Sequence, residues 1–269
     1  MNSPDVIVIG AGVVGASCAL ALTNAGLRVL IIDRGPVASG TSGAGEGNIL
    51  VSDKEPSPEL TLALRSRNAW FEVNEDIGGG FELDGKGGVV ISRSETGIAG
   101  LKKLAKAQRE NGIDAREVNA AELRKLEPHI SPTIEYGVHY PQDAQCQPML
   151  AAAHVIRTVI SRGGNFISQA KVTEVLVKDS QVYGVETSKG KFLAPIVVNA
   201  TGTWAGEIAR MAGSDLPIAP RRGFILVTEP APQYIFHKVY DSDYVVNVAS
   251  SDADLQTSTV VEGTRSGTI

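Results

Sequence analysis

A change of hydrophobic period opens the chain. Val6–Ile9 is an unbroken apolar run, the pattern of a strand buried on both faces. Three glycines follow within six residues, and the apolar positions then suit a helix up to Ala25. A second apolar run, Val29–Ile32, ends at Asp33. Strand, glycine turn, helix, strand and acid make one βαβ unit. A glycine- and serine-rich loop covers residues 35–58, too long and too rich in small residues for a plain linker. Leu60, Leu62, Ala63, Leu64, Trp70, Phe71 and Val73 predict a helix from Pro58 to about Glu75. Arg65 and Arg67 fall on its solvated face.

Short elements then alternate. Phe81–Leu83 and Gly88–Ser92 are expected to form a hairpin around the DGKGG sequence. Gly97–Asn111 is predicted helical, with a stop at Gly112. Asn119 opens another helix, with Glu122 at the capping-box spacing. Tyr136–Tyr140 reads as a strand. Pro148 starts a helix that runs to about Arg162 and stops at Gly163–Gly164. Strands follow at Asn165–Ile167, Val172–Lys178, Gln181–Thr187, Phe192–Leu193 and Ile196–Ala200, then a helix at Trp204–Ala212. From Pro217 onward the pattern is β-rich, with GFILVTE, YVVNVA and STVVEG as candidate strands. The order predicts an α/β dinucleotide domain with a second domain inserted.

Val6–Ala25 carries no charge and is long enough to cross a bilayer. Its three glycines sit where the period switches, and the preceding MNSPD lacks Lys and Arg, so neither a membrane span nor a signal peptide is expected. With 269 residues the chain is one large domain or two smaller ones. A net charge of −5 provides no basic footprint, so nucleic acid is not expected as a partner. The two cysteines are far apart and no C-x-x-C or Cys/His cluster is present, so no metal site is expected. Cys18 reads as a small buried hydrophobe and Cys146, in a polar loop, as the more reactive thiol. A cytoplasmic location is the default that follows.

The glycine turn carries the chemistry. Gly10, Gly12 and Gly15 form G-x-G-x-x-G, and Asp33 follows Gly15 by 18 positions. Gly10 permits the tight turn, Gly12 lets a pyrophosphate reach the backbone, and Gly15 lets helix and strand pack closely. The helix N-terminus offers unpaired amides and a positive dipole end to phosphates. Asp33 is placed to accept hydrogen bonds from ribose hydroxyls and would repel a 2′-phosphate, which argues against NADP. A second glycine segment, Ala200–Thr201–Gly202, ends a strand and feeds a helix. Thr41, Ser42, Ala44, Gly45 and Gly47 in the long loop allow close approach to a ligand.

Together with Arg34, the loop Ser42–Ile49, Val172, and Asn199–Gly202 followed by Trp204, these residues make the chain resemble the D-amino-acid oxidase-like flavoproteins. The resemblance covers essentially all of the chain. It implies a Rossmann-like FAD-binding domain of the glutathione-reductase-2 type over 1–80 and 140–215. An α+β substrate domain rich in antiparallel strands is implied over 81–139 and 216–269. It implies FAD with its adenosine near Asp33, Arg34 and Val172, and its pyrophosphate over Gly10, Gly12, Val13, Val14, Gly15, Thr41 and Ser42. The isoalloxazine would lie against Ala44, Gly45, Gly47, Asn48 and Ile49, with Ala200, Thr201, Gly202 and Trp204 at the second edge. The implied reaction is hydride transfer from a substrate C–N bond to flavin N5. A flavoprotein acting on a C–O bond, or an FAD-binding subunit of a larger dehydrogenase complex, are the alternatives. A homo-oligomer is a further possibility.

Two departures stand out. The acid after the second strand is usually Glu in the family and is Asp33 here. Glu46 stands where a small residue is usual, either to bind a cationic substrate group or to brace the loop. His237, Tyr240 and Tyr244 fall in the segment expected to cover the flavin and are candidate substrate contacts, with ordinary sheet packing as the other reading. Arg221 and Arg222 read as solvent-facing charge. Family members continue past the position of Ile269, and the resemblance implies that the chain lacks the usual substrate-carboxylate arginine and final sheet strand.

Overall fold

The computed structural model describes residues 3–220 and 222–242. In chain order it begins β1 (Val6–Ile9), α1 (Val13–Asn24), β2 (Val29–Ile32), β3 (Asn48–Ile49), α2 (Pro58–Asp76), β4 (Gly88–Ser92) and α3 (Glu95–Glu110). Next come β5 (Arg116–Asn119), α4 (Ala120–Leu126), β6 (Tyr136–Tyr140), β7 (Ala144–Gln145) and α5 (Pro148–Ser161). The rest is β8 (Asn165–Ile167), β9 (Val172–Lys178), β10 (Gln181–Thr187), β11 (Gly190–Leu193), β12 (Ile196–Asn199), α6 (Ala205–Met211) and β13 (Lys238–Asp241). The mixed α/β class and the parallel sheet agree with the sequence pattern.

The chain divides into two compact units. One comprises Met1–Gly47, Asn74–Glu82 and Cys146–Leu226; the other takes Asn48–Val73, Leu83–Gln145 and the described residues from Val227. These bounds differ from the expected 1–80 and 140–215, chiefly in placing residues 48–73 with the second unit.

In the first unit a four-stranded parallel sheet has the order β12-β1-β2-β8. Every residue of β1 and β2 is buried, which explains why both read as continuous apolar runs rather than alternating ones. Val6 pairs with Ile196 and with Val29, so β1 is an inner strand and its C-terminal end lies between those of β12 and β2. Ile7, Ile9, Leu30 and Ile32 pack with Val172 and Val185 of the antiparallel meander β9–β11 and with Ala170 and Ala194, which flank it. The helix start at Pro148 and stop near Arg162 are as expected, with Gly163 at φ +94° taking the chain out of α5.

In the second unit β4, β6 and β5 are antiparallel neighbours, and β13 joins β4 in parallel. Asn119 caps α4 with the expected reciprocal box: its side chain accepts from the amides of Ala121 and Glu122, and Glu122 accepts from the Asn119 amide. Arg67 is not merely solvated. Its Nε donates to the Gln142 carbonyl at 2.8 Å, and its guanidinium lies 4.5 Å from the Phe71 ring centroid.

Two expected strands differ. The Phe81–Leu83/Gly88–Ser92 hairpin does not form, because Glu82 takes φ +54° and breaks the extended run. Asp84 makes one isolated bridge to Gln145, and β4 pairs instead with β6 and β13. GFILVTE is not a strand either. It has no ladder partner among the described residues, and Phe224, Leu226 and Val227 are 84%, 95% and 89% exposed. Alternating apolar residues specify a strand only where a neighbour supplies the pairing. YVVNVA, STVVEG and Arg221 lie outside the described residues.

Candidate functional site

The glycine turn after β1 is built by backbone contact. Gly10 takes φ +114°, a conformation that excludes most side chains, and its amide donates to the Ile32 carbonyl at 2.8 Å. A Cβ on Gly10 would stand 2.3 Å from the Ala200 carbonyl oxygen, and one on Gly15 would stand 1.9 Å from the Gly10 carbonyl oxygen. The first turn, the start of α1 and the turn after β12 therefore meet with no side chain between them. Helix α1 has no side-chain cap at Gly12 and no acid in its first turn. Its leading amides and positive dipole end face the edge where β1 and β12 finish. Ser42 takes one of them: the Val13 amide donates to Ser42 Oγ at 3.0 Å. Val14 is exposed at that edge.

Asp33 closes the turn from the other side. Its Oδ2 accepts from the Ala11 amide at 2.7 Å and its Oδ1 from the Gly35 amide at 2.8 Å. Each oxygen keeps a second acceptor site, and the residue is partly exposed. The Asp33 amide donates to the Ile167 carbonyl and its carbonyl accepts from the Ala170 amide, at 3.1 and 2.8 Å. Asp33 thus adjoins the approach to β9, where Val172 is buried in the apolar cluster with Ile9 and Ile32.

Asn199 locks the second turn, a role the sequence pattern alone did not assign. Its Nδ2 donates to the Ala205 carbonyl at 2.9 Å and its Oδ1 accepts from Thr201 Oγ1 at 2.7 Å. The readable signal is Asn two residues before a hydroxyl residue at a strand-to-helix turn. Trp204 follows, with the Arg34 guanidinium 3.9 Å from its ring centroid. Gly40 also faces that ring, leaving 3.4 Å for a Cβ. Thr41–Ala44 forms one 3-10 turn, and Thr41, Ala44, Gly45 and Glu46 are exposed. The Gly47 carbonyl accepts from the Cys146 amide, and Asn48 and Ile49 pair with Gln145 and Ala144. Cys146 departs from expectation: it is buried, and burial pushes its thiol above the usual range, which makes it the less reactive kind. Cys18 is only partly buried.

The substrate candidates of the second unit are engaged in packing. Tyr240 is buried among Val51, Leu60, Val90 and Tyr140, and its hydroxyl donates to Ser52 Oγ at 2.6 Å. His237 Nδ1 lies 2.9 Å from the buried Glu127 carboxylate, which also accepts from the amides of Phe236 and His237 at 3.0 and 2.5 Å. The His139 ring meets His237 edge-on at 5.3 Å, and burial holds the His139 pKa below the usual value. Tyr244 lies outside the described residues. Glu127 is a residue that sequence reasoning missed. Removing its carboxylate leaves the part-buried donors of Phe236 and His237 without this acceptor, a change costing about 3 kcal/mol. Glu127→Ala is expected to lower Tm by roughly 6–10 °C in a thermal melt. An unchanged Tm would show that the clamp on residues 236–237 contributes nothing.

Among the described residues no helix is long and apolar enough to cross a membrane. The family described as DAO, FAD dependent oxidoreductase, matches residues 5–265. The anaerobic glycerol-3-phosphate dehydrogenase subunit A1 of Haloferax volcanii is 29% identical over 84% of the chain. The mitochondrial sarcosine dehydrogenase of Mus musculus is 28% identical over 85%. The chain spans 41% of the first relative's length and 26% of the second's. Glycine oxidase from Bacillus cereus superposes with a TM-score of 0.72 at 26% identity, covering 77% of this chain and 59% of that one. A match that runs through both glycine turns and nearly the whole sequence places the chain in the DAO family of FAD-dependent oxidoreductases.

Proposed function

We propose that the chain holds FAD across the β1–α1 turn and serves to oxidise the C–N bond of an amino acid or secondary amine. The observation that carries the cofactor site is the meeting of Gly10, Gly15 and Ala200 at backbone distance beside a helix N-terminus whose N-cap glycine supplies no side chain. The residues fit the group. Gly10, Gly12, Val13, Val14 and Gly15, with Thr41 and Ser42 beside the helix start, would hold the pyrophosphate; the helix amides and dipole favour its charge. Ser42 Oγ already marks one of those donors. Asp33, with Arg34 and Val172 nearby, would take the adenosine, its free acceptor sites meeting ribose hydroxyls. Ala44, Gly45, Gly47, Asn48 and Ile49, and Ala200, Thr201, Gly202 and Trp204, are the positions the family resemblance assigns to the rest of the cofactor.

FAD, when bound, supplies the two-electron acceptor, and the protein supplies position. The substrate loses two electrons and two protons from its H–C–N–H unit, and water hydrolyses the resulting C=N to a carbonyl and an amine. No acid or base on the protein is required for this if the amine arrives neutral. Similarity to glycine oxidase and sarcosine dehydrogenase supports the C–N class. Similarity to a glycerol-3-phosphate dehydrogenase subunit supports a second reading, in which a C–O bond is oxidised and the chain works within a larger complex.

Cofactor released by acid from the purified protein is expected to run as FAD on chromatography. Anaerobic mixing with glycine, sarcosine, D-amino acids and D-hydroxyproline is expected to bleach the flavin absorbance with at least one of them. Bleaching by glycerol 3-phosphate or a 2-hydroxy acid alone would move the assignment to C–O substrates. Tightly bound NAD without flavin would overturn the cofactor assignment.

A further inference from the structure

A buried polar chain in the second unit runs from β13 to the segment after β3. Tyr240 donates its hydroxyl proton to Ser52 Oγ at 2.6 Å, and Ser52 donates in turn to Asp143 Oδ2 at 2.5 Å. Asp143 Oδ1 accepts from the amides of Val51 and Ser52 at 2.9 and 3.2 Å. Asp143 and Ser52 are fully buried. Gln108 of α3 holds the same stretch by its carbonyls: Nε2 donates to Ser52 O and Lys54 O at 3.0 and 2.8 Å, while Gln108 Oε1 accepts from Tyr140 at 2.8 Å. Asp143, Tyr240 and the Gln108 amide group thus converge on residues 51–54. Asp143 directly precedes β7, whose Ala144 and Gln145 pair with Ile49 and Asn48. Three donors on one carboxylate fix the base of a two-residue ribbon that is too short to hold its own register.

We propose that Asp143 is a positioning residue for the part of the cofactor loop in β3: its carboxylate anchors Val51 and Ser52, and with the β3–β7 pairing fixes the backbone of Asn48 and Ile49. Asp143 has this role only if FAD lies against that loop as proposed above. The carboxylate works best when ionised, because charge-assisted hydrogen bonds are about twice as strong as neutral ones. Protonation would place a hydrogen on Oδ2, which would then donate to Ser52 Oγ and deprive the serine proton of its acceptor. Burial pushes the Asp143 pKa up to about 6, against the lowering effect of its three hydrogen bonds. The groups facing it are Asp53, which raises it further, Ser52, Tyr240 from β13 and Tyr140 from β6, with the β4 backbone at Gly88 against its Oδ2. Neither tyrosine ionises near neutrality, since both are raised by burial.

The test is FAD titration of the flavin-depleted protein between pH 5 and 8, for wild type and Asp143→Asn. The amide can accept at Oδ1 and donates from the other atom, so it imitates the protonated acid at every pH. Wild-type Kd is expected to tighten about tenfold as pH rises through 6, the equivalent of one unit of differential protonation. Asp143→Asn is expected to keep the weak low-pH Kd throughout, with a flat profile. Linkage requires the reverse effect too, so bound FAD should lower the pH at which Asp143 titrates. If the asparagine protein does not fold, Ser52→Ala is measured in its place; it removes a hydrogen bond that holds the carboxylate pKa down, so its profile is expected to move to higher pH. A folded variant with the wild-type pH profile would overturn the role of Asp143 and leave the cofactor assignment standing. A wild-type protein that takes up no flavin at any pH would overturn both.

Discussion

Gly15→Ala is expected to remove the flavin and lower Tm by roughly 2–10 °C, from an overpacking cost of about 1–3 kcal/mol. The cause is a methyl group placed 1.9 Å from the Gly10 carbonyl oxygen, an atom of the backbone that cannot turn aside. Either α1 lifts from β1 or the Gly10 turn shifts, and each breaks the contact with Ala200 that brings the two glycine turns together. Gly12→Val separates site from fold. Its Cβ would meet only Ser42, with Oγ at 2.9 Å, and a serine side chain can rotate away. That variant should lose its yellow colour and, compared with flavin-depleted wild type, keep its melting temperature. Gly100→Ala serves as the control, since its methyl group meets nothing within 4 Å in the middle of α3. It should gain about 1 kcal/mol from helix propensity. Wild-type flavin content and Tm in Gly15→Ala would sink the close-packed account of the turn.

Asp33→Ala is expected to weaken FAD binding by at least about a hundredfold. One carboxylate accepts from the amides of Ala11 and Gly35, so the substitution loosens the glycine turn as well as removing the ribose contact. Hydrogen bonds to a charged group contribute about 1.5–3 kcal/mol each, and a factor of a hundred needs about 2.7. Asp33→Asn retains one acceptor oxygen and replaces the other by a donor facing a donor, so it should lie between wild type and alanine. Titration of the flavin-depleted proteins provides the three dissociation constants. Values within twofold of one another would mean that Asp33 only decorates the end of β2.

The first glycine turn was legible because its requirements are local. A strand buried on both faces is an apolar run, and a position without room for a Cβ is a glycine, whatever lies elsewhere in the chain. Helix starts at Asn119 and Pro148 were legible for the same reason, since a cap acts within one turn. What failed depended on distant partners. The run around DGKGG reads as a hairpin, yet β4 finds its neighbours in β6 and β13, and Glu82 leaves the extended region. Cys146 sits among polar residues in sequence and is buried in space. Tyr240 and His237 looked free to meet a substrate, and each is held by a residue more than a hundred positions away, Ser52 and Glu127. No periodicity announces Asp143 either, because its donors come from a segment 91 and 92 residues earlier.

A cradle assembled from main-chain atoms has consequences for how such a protein diverges. Its demands are mostly negative: no methyl group at Gly10 or Gly15, and one carboxylate at the end of β2. The remaining positions of the cradle contribute amides and carbonyls, which every residue but proline carries alike. Mutation can therefore accumulate around the cofactor seat without touching what the seat is made of. Lineages can drift to the 26% identity seen with glycine oxidase and still superpose in fold, at a TM-score of 0.72. Side chains elsewhere are then free to explore new substrates, and relatives named for an amine and for a sugar-alcohol phosphate sit side by side as a natural outcome of that freedom.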